Sequence, residues 1–288
     1  MSTSVSFEFF PPRTAEAEQQ LWSVVERLSE VNPSFVSVTD GAGGSTRDAT
    51  LGTLRAISAQ TPLRAAGHLT CVGRSRAEVD ATVRDYWDAG VRHIVALRGD
   101  MPELGAPFVP HAEGYAGSPE LIAAIRRIAP FEVSVSAYPE VHPDSRSPVE
   151  DLALLARKVE AGATRAITQF CFVTEQIARL RDRIDRAGID VPIVPGIVTV
   201  TNFKAVARMA GRCGASVPTW LAERFEGLDD DLHTRTLIAA IIAARQIEEL
   251  RCEGFDEFHF YTLNQADVVA AVCRLLDLGA GAQERQAA

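Results

Sequence analysis

Short apolar runs rich in β-branched and aromatic residues alternate with longer amphipathic stretches along the whole of this 288-residue chain. The short runs predict strands at Val5–Phe10, Phe35–Thr39, Ala65–Val72, His93–Arg98, Glu132–Tyr138, Ala166–Phe172, Pro192–Val198 and Glu257–Leu263. The stretches between them carry helical periodicity at Ala15–Leu28, Thr50–Ala59, Arg76–Ala89, Pro119–Ile128, Val149–Ala161, Thr174–Ala187, Phe203–Gly211 and Leu232–Leu250, with a last one from Ala266 to Leu278. Several end at a glycine just before the next strand, as in Asp88-Ala89-Gly90, Glu160-Ala161-Gly162 and Arg186-Ala187-Gly188, the usual helix stop. Strand and helix in strict alternation, repeated eight times over this length, predict an α/β fold: a (β/α)8 TIM barrel, one domain over residues 1–288. Val217 to Leu250 is longer than an ordinary connection and predicts extra helices between the seventh and eighth strands. With Trp220, Leu221, Phe225 and the apolar Leu237–Ala244 run, it suits either a cover on the barrel or a joint between subunits. A doubly wound sheet is the alternative. Its dinucleotide form needs GxGxxG after the first strand, whereas Gly41-Ala42-Gly43-Gly44 follows the second and lacks the third spaced glycine.

Composition changes this picture little. Apolar residues at 47% and charged residues at 23% allow an ordinary core. A net charge of −9, with no local basic run, argues against nucleic acid or an anionic membrane as partner. Cys71, Cys171, Cys213, Cys252 and Cys273 are scattered and show no CxxC spacing, which suits free thiols in a reducing compartment. No signal-peptide pattern precedes the first strand and no apolar stretch is long enough to span a bilayer, so the expected location is the cytoplasm.

A barrel gathers function at the C-terminal ends of its strands. Those ends read Glu8; Thr39 and Asp40; His68 and Thr70; Arg98-Gly99-Asp100; Tyr138, Glu140 and His142; Gln169; Asn264 and Gln265. Glu8 stands in Ser6-Phe7-Glu8-Phe9-Phe10-Pro11-Pro12, phenylalanines on both sides. A carboxyl group buried among them would hold its proton toward neutral pH and act as a general acid. It would equally be explained by turning outward or by pairing with a buried Arg or Lys. Arg98-Gly99-Asp100 sets a planar cation, an unobstructed backbone and an anion in succession, suited to a flat polar ligand or to a local ion pair. Tyr138, Glu140 and His142 lie on a loop stiffened by Pro139 and Pro143. Arg157 and Lys158, a turn beyond Asp151 and Leu154, offer cations to a phosphate or to solvent. Gln169 is an amide among large apolar groups and suits either a heterocycle or a hydrogen bond to a neighbouring loop. No HxH, HExxH or clustered carboxylates point to a metal, and no GxSxG elbow occurs.

The chain resembles the bacterial methylenetetrahydrofolate reductases through Ser6–Thr14 (SFEFFPPRT), Phe35–Ala42, His68–Cys71 (HLTC), Asp85–Pro102 (DYWDAGVRHIVALRGDMP), Ala137–Pro143 (AYPEVHP), Ala161–Phe170, Pro195–Lys204, Phe225–Asp231 and Phe258–Asn264, in order and over nearly all its length. The resemblance implies reduction of methylenetetrahydrofolate to methyltetrahydrofolate, supplying methyl groups for methionine, with NADH or NADPH as donor and a non-covalent FAD as relay. It implies that Glu8 is the general acid that opens the folate's five-membered ring, and that Asp100 tunes the flavin and contacts the folate. Flavin contacts carry over to Ala42, His68, Arg98, Gly99, Asp100, Tyr115, Tyr138, His142, Asp151, Arg157 and Lys158. Thr39, Gln169, Met209 and Gln265 fall at positions that meet nicotinamide or folate, and the family implies a homo-oligomer. The chain departs from the pattern at Gln265, where members carry an arginine that helps hold the folate. Ala205 and Met209 stand in place of glutamine and phenylalanine, and Asp40 stands where a tyrosine often lies near the flavin. Between Asp100 and Tyr115 the loop is longer and rich in proline. The alternative reading keeps the folate but passes hydride to it directly from NADH, without a flavin.

Overall fold

Nine parallel strand segments form one sheet in the order β7-β6-β5-β4-β3-β2-β1-β9-β8. A computed structural model describes residues 3–41, 46–101, 103 and 106–279. The strands are β1 (Ser4–Phe9), β2 (Phe35–Val38), β3 (Ala65–Thr70), β4 (His93–Leu97), β5 (Glu132–Ala137), β6 (Arg165–Thr168), β7 (Ile193–Val194), β8 (Gly196–Val198) and β9 (Glu257–Tyr261). Every one of the sequence-derived strands is present. The seventh is divided, because Pro195 has no N–H to give the ladder. Residues before it pair with β6 and residues after it with β9, so this single bend closes the barrel. Gly196 is required at the bend: a Cβ there would come within 2.2 Å of the Thr168 carbonyl oxygen.

Helices wrap the outside: α1 (Ala15–Ser29), α2 (Arg47–Gln60), α3 (Arg76–Asp88), α4 (Ser118–Ile128), α5 (Pro148–Glu160), α6 (Thr174–Arg186), α7 (Phe203–Cys213), α8 (Thr219–Phe225), α9 (Leu232–Cys252) and α10 (Asp267–Leu275). The extra helix between the last two strands is α8, whose Leu221 and Phe225 pack with Phe170, Phe172 and Val206 into a separate apolar cluster over one side of the barrel. The main core lies between strands and helices, where β1 contributes Val5, Phe7 and Phe9 and α1 contributes Leu21, Val24, Val25 and Leu28. Among the described residues no helix is long and apolar enough to cross a membrane.

The bore holds the residues of opposite parity. Phe35, Ala66, Val95, Ile167 and Val194 form an apolar plug inside it. Around that plug sit three serine–imidazole pairs: Ser6 Oγ 2.7 Å from His259 Nδ1, Ser134 Oγ 2.7 Å from His93 Nε2, and Ser37 Oγ 3.3 Å from His68 Nε2. The N-terminal end is closed by Arg165, which binds Glu132 and lies 3.6 Å from Glu257.

Candidate active site

Above the plug, at the C-terminal ends of the strands, opens a cleft of about 770 Å³. Glu8, His68, His259 and Tyr261 lie in its depth, with Thr39, Asp40, Asp100, Tyr138 and Gln169 around them. Strand alternation corrects the sequence-based picture of Glu8. Phe7 and Phe9 point away from it into the outer core and are 0% and 1% exposed. The carboxylate faces imidazoles instead: its Oε2 is 3.4 Å from His68 Nε2 and 3.9 Å from His259 Nε2, with 13% of the side chain exposed to the cleft. Among the described residues no arginine or lysine pairs with it. Burial pushes the His68 pKa down, against the pull of Glu8, so this imidazole is neutral at pH 7. The Tyr261 hydroxyl donates to the Thr168 carbonyl oxygen at 2.8 Å, which ties β9 to β6 beneath the cleft. Gln169 accepts its neighbour Phe170's N–H at 3.0 Å, leaving its NH2 group toward ligand chemistry. The Asp40 side chain, 2% exposed, sits 4.0 Å from Arg74; burial raises its pKa while Arg74 opposes the rise.

A second cleft of about 530 Å³ shares Leu97, Asp100, Ser136 and Tyr138 with the first, so the two form one bent groove. Gly99 makes the corner. Its φ of +83° and the 2.5 Å approach of Val72 Cγ1 to any added Cβ both demand glycine. Arg98 does not pair with its neighbour Asp100; it binds Asp144 at 2.6 Å and lies over Phe108. Asp151 shapes the next loop by accepting the His142 N–H at 3.0 Å and the Ser145 hydroxyl at 2.5 Å. The His142 ring meets Tyr138 edge-on at 4.5 Å. Lys158 is 5% exposed and donates to Ser136 O at 2.8 Å and Ser136 Oγ at 3.3 Å. It makes no ion pair among the described residues, and burial brings its pKa down to about 8, with Asp151 opposing. Arg157 lines the same cleft, exposed.

The structure therefore brings Glu8, Thr39, His68, Asp100, Tyr138 and Gln169 together in one cleft. It brings Arg98, Gly99, His142, Asp151, Arg157 and Lys158 together in the other. Three expected residues lie elsewhere. The Tyr115 side chain is buried in the outer core with its hydroxyl 2.6 Å from Asp80, and its neighbour Ala116 lines the second cleft instead. Met209 packs in the cluster around α8, and Gln265 accepts from the Thr201 hydroxyl at 2.6 Å; neither lines a cleft. Ala42 lies outside the described residues. Sequence reasoning passed over His259, Tyr261, Ser136 and Arg13. The first two had a legible signal, since β9 pairs with β1 so that Ser6 faces His259 and Glu8 faces Tyr261.

Residues 1–277 match the family model for methylenetetrahydrofolate reductase. The chain is 49% identical to the 5,10-methylenetetrahydrofolate reductase of Escherichia coli K12, covering 96% of this chain and 92% of that one. Against the Pectobacterium carotovorum enzyme it is 47% identical, over 95% and 90%. The Arabidopsis thaliana methylenetetrahydrofolate reductase (NADH) 1 is 33% identical over 96% of this chain, which spans 48% of that longer protein. Among solved structures, a Clostridium thermocellum protein described as binding two copies of 5-methyl-5,6,7,8-tetrahydrofolic acid superposes with a TM-score of 0.63 at 15% identity, over 97% and 96% of the two chains, a likeness of fold.

Proposed function

This chain belongs to the methylenetetrahydrofolate reductase family, and we propose that it reduces 5,10-methylenetetrahydrofolate to 5-methyltetrahydrofolate with NADH or NADPH as donor and a non-covalent FAD as relay. The observation that carries this reading is the bent groove. One limb holds a carboxyl, an amide and Asp100 around a space fit for stacked rings. The other holds Arg98, Arg157 and a buried Lys158 that pairs with no carboxylate among the described residues. A buried ammonium without a counter-ion is costly, and a diphosphate would supply the missing charge. Arg98, Gly99, His142, Asp151, Arg157 and Lys158 would hold the cofactor's polar half, with Asp100 and Tyr138 at the bend. Bound there, FAD would supply the hydride relay between donor and folate.

Glu8 is the proton donor. It is the carboxyl at the bottom of the open limb, and transfer of its proton to the folate nitrogen opens the five-membered ring to the iminium that accepts hydride. The neutral His68, with His259 beyond it, flanks the carboxylate left behind and holds its orientation. Asp100, at the bend shared by both limbs, would meet cofactor and folate alike. Gln169 orients the pterin through its amide, and Thr39 lies on the opposite wall. Exposed Trp220, Leu237 and Ile241 on α8 and α9 suit the homo-oligomer that the family implies.

Visible absorption of the purified protein tests the reading. A flavin spectrum bleached by NADH without oxygen and restored by methylenetetrahydrofolate is the expected result. A colourless protein that takes up no added FAD yet oxidises NADH with folate would establish direct hydride transfer instead.

A further inference from the structure

The first cleft is acidic at depth and at its walls, where Glu8, Asp40 and Asp100 lie. Among its described lining residues Arg13 is the sole lysine or arginine. Arg13 is exposed and makes no ion pair among the described residues. It stands on a stiff rim. Pro11 and Pro12 fix the backbone before it, and the Asn264 amide grips Phe10 from both sides, accepting its N–H at 2.9 Å and donating to its carbonyl oxygen at 3.0 Å. Thr14, the next residue, caps α1 by accepting the Ala17 N–H at 3.2 Å. Phe10, 42% exposed, lines the same rim.

We propose that Arg13 is the specificity residue for the anionic tail of the folate, pairing with the glutamate carboxylates that trail from the aminobenzoyl group. This rests on the folate reading above and deepens it. A folate is neutral at its pterin end and negative at its tail. The carboxylates of Asp40 and Asp100 in and around the cleft repel that tail, so the ligand enters pterin first and leaves its charge at the rim. Gln265 carries no charge and is engaged with Thr201, so Arg13 is the cation available to the tail. The rim's rigidity means that little ordering is needed to form the pair.

Calorimetric binding of three ligands to the FAD-loaded enzyme tests this. They are 5-methyltetrahydrofolate with one glutamate, the same with three, and an analogue ending in an uncharged amide at the aminobenzoyl group. Arg13→Gln should weaken both glutamate forms about tenfold, the order of one charge-assisted pair, and leave the amide analogue unchanged. Arg13→Lys should recover part of the loss, and the affinity for NADH should not move. Equal losses on all three ligands would make Arg13 a structural rim residue, and losses on NADH alone would give it to the nicotinamide donor; either overturns the proposal. If the wild-type protein bound none of the three, the folate reading itself would fall, and the tail site with it.

Discussion

The two ends of the barrel bore use the same side chains to opposite effect. At the N-terminal end Arg165 binds Glu132 and reaches Glu257, and His93 lies neutral beside Ser134, its pKa pushed down to about 3 chiefly by burial. Each carboxylate there has a guanidinium. At the C-terminal end Glu8 has, among the described residues, two imidazoles beside it and an open cleft. Charge that is matched inside the protein closes a bore, whereas charge left for a visitor makes a site. The largest expected effect tests the upper end. Glu8→Gln keeps the shape and removes the proton, so folate reduction should fall by about 10²–10⁴-fold, while NADH oxidation by an artificial acceptor stays within about twofold. Rapid-mixing measurement of the two half-reactions separates them, and equal survival of both would remove Glu8 from the chemistry.

The lower end should respond the other way. Arg165→Met removes the cation between Glu132 and Glu257, leaving Glu132 the more exposed Arg64 at 3.0 Å. Both carboxylates are partly exposed, so solvent screening reduces the loss to roughly 1–3 kcal/mol of unfolding free energy. Denaturant titration reads that loss, and the KM for folate should be unchanged. A variant of full stability with a raised KM would erase the distinction between the ends.

Much of this contrast was legible in the sequence, because barrel strands are short, apolar and followed by helices that stop at glycine. The elements, their order and the polar strand ends all follow from that. The environment of Glu8 departs from the sequence expectation for a local reason: neighbours in sequence are not neighbours in space, because alternation sends Phe7 and Phe9 to the opposite face. His259 and Tyr261 went unnoticed because their place beneath Glu8 depends on β1–β9 pairing across almost the whole chain. The Asp40–Arg74 approach joins two separate loops, and the Tyr115–Asp80 bond is equally a product of packing. No periodicity encodes such contacts.

The smallest effect concerns the imidazole at the closed end. His93 is neutral in the fold, while in the unfolded chain it takes a proton below about pH 6.5. Below that pH the unfolded state binds more protons, so this residue subtracts stability progressively from about pH 6.5 down to about pH 3. Above that range it subtracts nothing. His93→Gln retains a polar group for Ser134 and does not titrate. The variant should melt a few degrees below wild type at neutral pH, from imperfect packing against Phe35, and the gap should narrow as the solution is acidified. Melting curves of both proteins at pH 7.5 and pH 4.5 decide it. A gap that stays constant would mean that His93 takes up its proton inside the fold, and the closed end would then tolerate a charge that the matched-pair picture excludes.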